Sequence, residues 1–228
     1  MDTSLVLWRR SLAEALAAFA LVFAGCGAIV ADDQYDGALG AVGVSLVFGL
    51  IIMVMIYATG HLSGAHINPA VTLAFTLTRH FPARDAVAYV AGQLAGATAG
   101  ALALAAVWTS KPAHLGATVP TVSPGSAFVY ETMLSAFLMF VIIAVATDTR
   151  AVGAAAAIAI GGTVGLDALF GGPVTGASMN PARSLGPALV SGTWTDFWVY
   201  LAGPILGASL GALAYQLIRT PLEGEGTA

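Results

Sequence analysis

Two short segments hold the residues with the most chemical potential: Ser63-Gly64-Ala65-His66-Ile67-Asn68-Pro69-Ala70 and Thr175-Gly176-Ala177-Ser178-Met179-Asn180-Pro181-Ala182. Their shared order of hydroxyl, Gly-Ala pair and Asn-Pro-Ala box marks an internal duplication. An asparagine carboxamide has two donors and an acceptor. Proline is tolerated in the first turn of a helix, where its missing N–H would have been unpaired anyway. Each box therefore reads as a helix start whose asparagine caps the helix, meets a neutral polar molecule, or does both. One glutamate sits early in each half, Glu14 and Glu131. A carboxylate within an apolar run is costly and is expected to face the interior of a helix bundle. Enzyme chemistry is not expected, because no nucleophile stands with a base and no cofactor is implied. His66 has no second His or Cys at ligand spacing, so it reads as a packed loop histidine and no metal site is expected. The single cysteine, Cys26, excludes a disulfide framework or a cysteine-based metal site and reads as a small packing residue.

The elements that must position these residues lie in lipid. The 228 residues are 58% hydrophobic and 9% charged, with a mean hydropathy of +0.86. Soluble domains carry about 25% charged residues, so this chain cannot clothe a globular surface. The net charge of −4 is small and scattered, which argues against a nucleic-acid partner. Apolar stretches at 11–31, 38–59, 85–107, 127–147, 151–170 and 195–218 are each close to the roughly 20 residues that cross a bilayer core. Two shorter pieces, 68–78 and 180–189, open on the Asn-Pro pairs. They read as re-entrant half-helices, which a membrane permits only where protein or a water-filled cavity surrounds the broken backbone. The expected fold is an all-α membrane protein of six transmembrane helices plus two re-entrant half-helices, one channel domain over 1–228. Repeat one covers about 11–107 and repeat two about 127–219.

Arg9, Arg10, Arg79, Arg84, Arg150 and Arg219 fall on one side of this scheme, Lys111 and Arg183 on the other beside Asp32, Asp33 and Asp36. By the positive-inside rule both termini are cytoplasmic. The run from Arg9-Arg10 to Gly25-Cys26 superficially looks like a cleaved lipoprotein leader, but it is longer than a signal core and contains Glu14. It is read as the first span. Three crossings per half invert the second half relative to the first, so the two boxes enter from opposite faces and meet near the midplane.

Paired Asn-Pro-Ala boxes in inverted halves, Ser63-Gly64-Ala65-His66-Ile67 before one, Arg183-Ser184 after the other and a glutamate upstream of each, closely resemble the aquaporin, or major intrinsic protein, superfamily. The resemblance runs from Glu14 to Gly203-Pro204 and implies a passive channel for water and small uncharged solutes that excludes protons and ions. It implies that Asn68, Pro69, Ala70, Asn180, Pro181 and Ala182 form the pore midplane. Carbonyls of Gly64, Ala65, His66, Gly176, Ala177 and Ser178 would line the water file, and Glu14 and Glu131 would brace the box loops. It further implies an outer constriction of four positions, which counting from the boxes assigns to Phe48, Ala168, Ala177 and Arg183.

Strict water channels of the family usually carry His where this chain has Ala168. The Phe-Ala-Ala-Arg set and the stretch Phe170 to Met179 look most like the nodulin-26-like group. That likeness implies glycerol, urea or undissociated metalloid hydroxides such as arsenite beside water. The alternatives are a strict water channel and, in another class, an ion-coupled secondary transporter with Glu14, Glu131 or Asp167 as its titratable group. The resemblance also implies a homotetramer with one pore per subunit, and the compact chain fits a bacterial inner membrane. Gly92, Gly96 and Gly100, like Gly203, Gly207 and Gly211, let helices approach closely. Spacing alone leaves open whether they pack the subunit or its neighbours.

Overall fold

A computed structural model describes residues 6–148, 151 and 155–219. Among them six helices are long and apolar enough to cross a membrane: α1 Leu7–Gln34, α2 Gly40–Ser63, α4 Ala83–Val107, α5 Pro124–Thr147, α6 Ala156–Thr175 and α8 Val199–Ile218. Two half-length helices, α3 Pro69–Leu77 and α7 Pro181–Ser191, follow α2 and α6. The order is therefore span, span, half-helix, span, given twice.

Local chemistry sets the breaks. α2 and α6 end on Gly64 (φ +91°) and Gly176 (φ +84°), where the left-handed backbone favours residues without a Cβ. α3 and α7 begin on asparagines in extended conformation, with Pro69 and Pro181 at the first helical position. The Asn68 side chain accepts from the Ala70 amide at 2.9 Å, and Asn180 from the Ala182 and Arg183 amides at 2.9 and 3.3 Å. Both asparagines thus cap their helices.

Several boundaries differ by a few residues from the sequence expectation, and two of them have a visible local cause. The fifth span was expected over 151–170 but runs Ala156–Thr175, through Gly171, Gly172 and Pro173. Proline removes only one donor, and transmembrane helices tolerate Gly and Pro when neighbours satisfy the freed groups. In the helix's last turn, Thr121 from the α4–α5 connection donates its amide to Val174 O at 2.9 Å and its hydroxyl to Pro173 O at 3.0 Å, meeting two of the carbonyls that the helix end leaves unpaired. The first span ends at Gln34 rather than 31 because Asp32 accepts from the Leu39 and Gly40 amides at 2.8 and 2.7 Å, closing the turn into α2.

The helices pack backbone to backbone. Gly92, Gly96 and Gly100 of α4 face Ser11, Ala15 and Phe19 of α1; Gly203, Gly207 and Gly211 of α8 face Glu131, Thr132 and Ala136 of α5. Both stripes therefore pack the subunit itself. Gly49 and Gly161 join α2 to α6 in the same way, a Cβ on either lying 2.6 Å from the other's carbonyl oxygen.

Side-chain ties also place the ends of the helices. Arg10 pairs with Asp85 at 3.0 Å, Gln216 donates to Thr78 O at 3.1 Å, and Tyr215 to Asp148 at 2.9 Å. The starts of α1 and α4 thus share one end of the bundle with the finishes of α3, α5 and α8. Arg9, Arg10, Arg79, Arg84 and Arg219 all belong to segments at that end, while Arg150 lies outside the described residues. Lys111 donates to Val190 O at 2.7 Å and marks the opposite end.

Candidate solute pathway

Glu14 and Glu131 have no exposed surface, and each is consumed by the loop ahead of its box. Glu14 accepts from the Ser63 hydroxyl at 2.7 Å, the His66 and Ile67 amides at 2.9 and 2.6 Å, and Gln93 Nε2 at 2.8 Å. Glu131 accepts from the Thr175 hydroxyl at 2.7 Å and the Ser178 and Met179 amides at 2.9 and 2.8 Å. Pinning these amides on the glutamates holds a strained backbone, since Ala65, Ile67, Ala177 and Met179 all have positive φ between 41° and 59°. Such conformations persist only where the surroundings over-determine them.

The two loops meet at the amino ends of the half-helices. Asn68 Nδ2 donates to Met179 O at 2.7 Å, and Asn180 Nδ2 to Ile67 O at 3.1 Å. Each carboxamide N carries two hydrogens, so each asparagine keeps a second N–H beyond this crossed pair. Both asparagines line a cavity of ≈ 130 Å³ whose wall extends from Ala146, near the finish of α5, and Ala156, at the start of α6, to Arg183.

Phe48, Ala168, Ala177 and Arg183 all line that same cavity. Arg183 is 2% exposed, with its guanidinium carbon 5.0 Å from the Phe48 ring centroid. Its Nη1 donates to Gly116 O at 2.7 Å, whereas Nε is buried without a protein partner. A buried donor left without a partner is expensive. Gly64, Ala65, His66, Ala177 and Ser178 also reach the wall, but Gly176 does not. At Gly176 a Cβ would lie 3.1 Å from Thr118, so its Cα face packs against the α4–α5 connection. His66 lines the cavity with its Nδ1 3.1 Å from the Thr72 hydroxyl, among Phe75, Phe81 and Tyr89.

Several supporting residues escaped sequence reading. Gln93 bridges Glu14 and the Thr72 hydroxyl. Tyr89 donates to Ser63 O and Tyr200 to Thr175 O, each at 2.7 Å. The tyrosines follow Ser63 and Thr175 by 26 and 25 residues, a repeat that alignment of the two halves beyond the boxes would have exposed. Gly116 carried no comparable signal, because its partner Arg183 lies 67 residues away.

The sequence model of the family described as major intrinsic protein matches residues 1–215. Aquaporin NIP1-1 of Zea mays is 48% identical over 219 residues, covering 96% of this chain and 78% of that one. Nodulin-26 of Glycine max is 46% identical over 211 residues, covering 92% and 78%. The X-ray structure of the aquaglyceroporin from Plasmodium falciparum superposes with a TM-score of 0.83 at 28% identity, over 93% of this chain and 97% of that one. Capped half-helices meeting inside six spans, with these relatives, place the chain in the major intrinsic protein family, alongside its nodulin-26-like members.

Proposed function

We propose that this chain is a passive channel carrying water and small uncharged solutes across a membrane. The observation that carries the reading is the meeting of Asn68 and Asn180 at the amino ends of α3 and α7 in the wall of one cavity. Each helix start bears roughly half a positive charge, so the meeting point repels cations. The second N–H of each asparagine binds a passing oxygen and turns the water file in opposite directions on either side, which interrupts proton hopping. Arg183, in the wall of that cavity, supplies fixed charge and donors for neutral polar solutes.

Phe48, Ala168, Ala177 and Arg183 act as the constriction in this reading, and the methyl groups of Ala168 and Ala177 leave it wide enough for glycerol, urea or undissociated metalloid hydroxides. The likeness to the Plasmodium falciparum aquaglyceroporin supports that breadth. The chain forms a homotetramer in a cell inner membrane, with both termini cytoplasmic and the arginine-rich end inside. It performs no enzymatic reaction. Stopped-flow light scattering of proteoliposomes tests the channel: fast shrinkage in an impermeant osmolyte, with re-swelling in glycerol or arsenite, is expected. Shrinkage without re-swelling in either solute would return the chain to a strict water channel. Ala168→His is expected to abolish the re-swelling while sparing water flux.

One observation favours a coupled transporter instead. Asp167 is 1% exposed with Oδ2 unpartnered, but it does not line the cavity. Saturable uptake driven by a proton gradient would select that reading; linear flux with a low activation energy selects the channel.

A further inference from the structure

We infer that Gly25 and Cys26, at the end of a widened turn in α1, are the seat that positions Phe48 and Arg183, so that the bare backbone at Gly25 sets which uncharged solutes pass. The inference rests on the reading of Phe48 and Arg183 as the constriction. α1 is α-helical to Leu21, opens into a π turn over Val22–Cys26 and resumes at Gly27. A π turn inserts one extra residue and bulges the helix locally, and such bulges gather at functional sites. Here the bulge directs two consecutive residues at two supports of the constriction.

A Cβ on Gly25 would lie 2.6 Å from Phe48 Cδ1 and 2.8 Å from Cζ. The phenyl ring thus occupies the space that any side chain at position 25 would need. With the Arg183 guanidinium 5.0 Å from its centroid, the ring stands between the α1 backbone and the filter charge. Cys26, with no exposed surface, backs the second support: a Cβ on Gly116 would lie 2.7 Å from Cys26 Cβ and 3.0 Å from its Cα. Gly116 (φ +72°) is the residue whose carbonyl holds Arg183 Nη1 at 2.7 Å. Neither Gly25 nor Cys26 lines the cavity, so both are positioning residues acting through Phe48 and Gly116. A methyl on Gly25 has helix backbone behind it, so the ring yields toward the guanidinium and the cavity.

The test compares glycerol and water permeability of proteoliposomes bearing the parent, Gly25→Ala, Phe48→Ala and the double variant. The ratio of the two permeabilities is the readout, because fewer folded pores would lower both alike. Gly25→Ala is expected to lower the glycerol-to-water ratio on the order of tenfold, a barrier difference of about 1.4 kcal/mol. Phe48→Ala is expected to raise it, and the double variant to behave as Phe48→Ala, since the ring that the methyl displaces is gone. An unchanged ratio in Gly25→Ala, with Phe48→Ala effective, overturns the seat and leaves the constriction reading standing. No effect from Phe48→Ala overturns the constriction, and the seat with it. If the parent passes no glycerol, the same comparison is read on water flux per folded protein. If Gly25→Ala does not fold, the double variant is expected to, and its failure likewise overturns the seat.

Discussion

Glu14 and Glu131 do the same work with different numbers of partners. Four donors converge on Glu14, three on Glu131, the extra one being Gln93 of α4. Glutamine in place of Glu14 offers one acceptor oxygen and turns an NH₂ toward buried donors, so at least one amide loses its partner. Each buried donor left unsatisfied costs about 1–3 kcal/mol. Glu14→Gln is therefore expected to lower the melting temperature in detergent and to reduce water flux together, as the 64–68 loop loosens. Glu131→Gln should show the same loss to a smaller degree. A Glu14→Gln protein with unchanged melting and abolished gradient-driven uptake would instead mark Glu14 as a coupling group. The boxes were legible from the duplication and both glutamates from being out of place in apolar runs, whereas Arg183 was marked only by the family resemblance. Gln93, Tyr89 and Gly116 were not, since each acts on a residue remote in the chain and none is unusual where it stands.

At the level of elements, the bundle is held by glycines that let backbones touch. Gly49 and Gly161 sit at the crossing of α2 and α6, where a Cβ on either meets a carbonyl oxygen at 2.6 Å, while Gly162 has nothing within 4 Å. Gly49→Ala or Gly161→Ala must push the helices apart and should cost about 1–3 kcal/mol. Gly162→Ala should be neutral or stabilising, because alanine is the better helix former by up to about 1 kcal/mol. Thermal unfolding of the three variants checks this, and equal midpoints for Gly161→Ala and Gly162→Ala would refute the close crossing. The existence of each span was legible from hydropathy, while several ends, that of α6 above all, lie a few residues away. Its Gly171-Gly172-Pro173 run looks like a stop, but the helix continues to Thr175, where Thr121 from a distant connection meets its last carbonyls.

At the scale of the whole molecule, the outward faces of the spans are apolar: Leu46 and Leu50 of α2, Phe137 of α5 and Leu210 of α8 are about half exposed. In a membrane these faces meet lipid or neighbouring subunits. The proposed homotetramer predicts a light-scattering protein mass in mild detergent of four times the 23.0 kDa chain. It also predicts water flux proportional to protein incorporated, because each subunit holds its own cavity. A monomer that retains full flux would show that assembly is dispensable for conduction.

The sequence by itself determined the six spans, the two half-helices, the duplication and the inversion, because lipid demands long apolar runs and because an odd number of crossings per half leaves no other arrangement. It also marked the boxes, since Asn-Pro at a helix start is a local signature. Only the tertiary structure decided which surface the glycine stripes serve and what stands behind Phe48 and Arg183. Those answers depend on contacts between helices far apart in the chain, such as Gly25 against Phe48 or Gly116 against Arg183. No local pattern of residues encodes such distances.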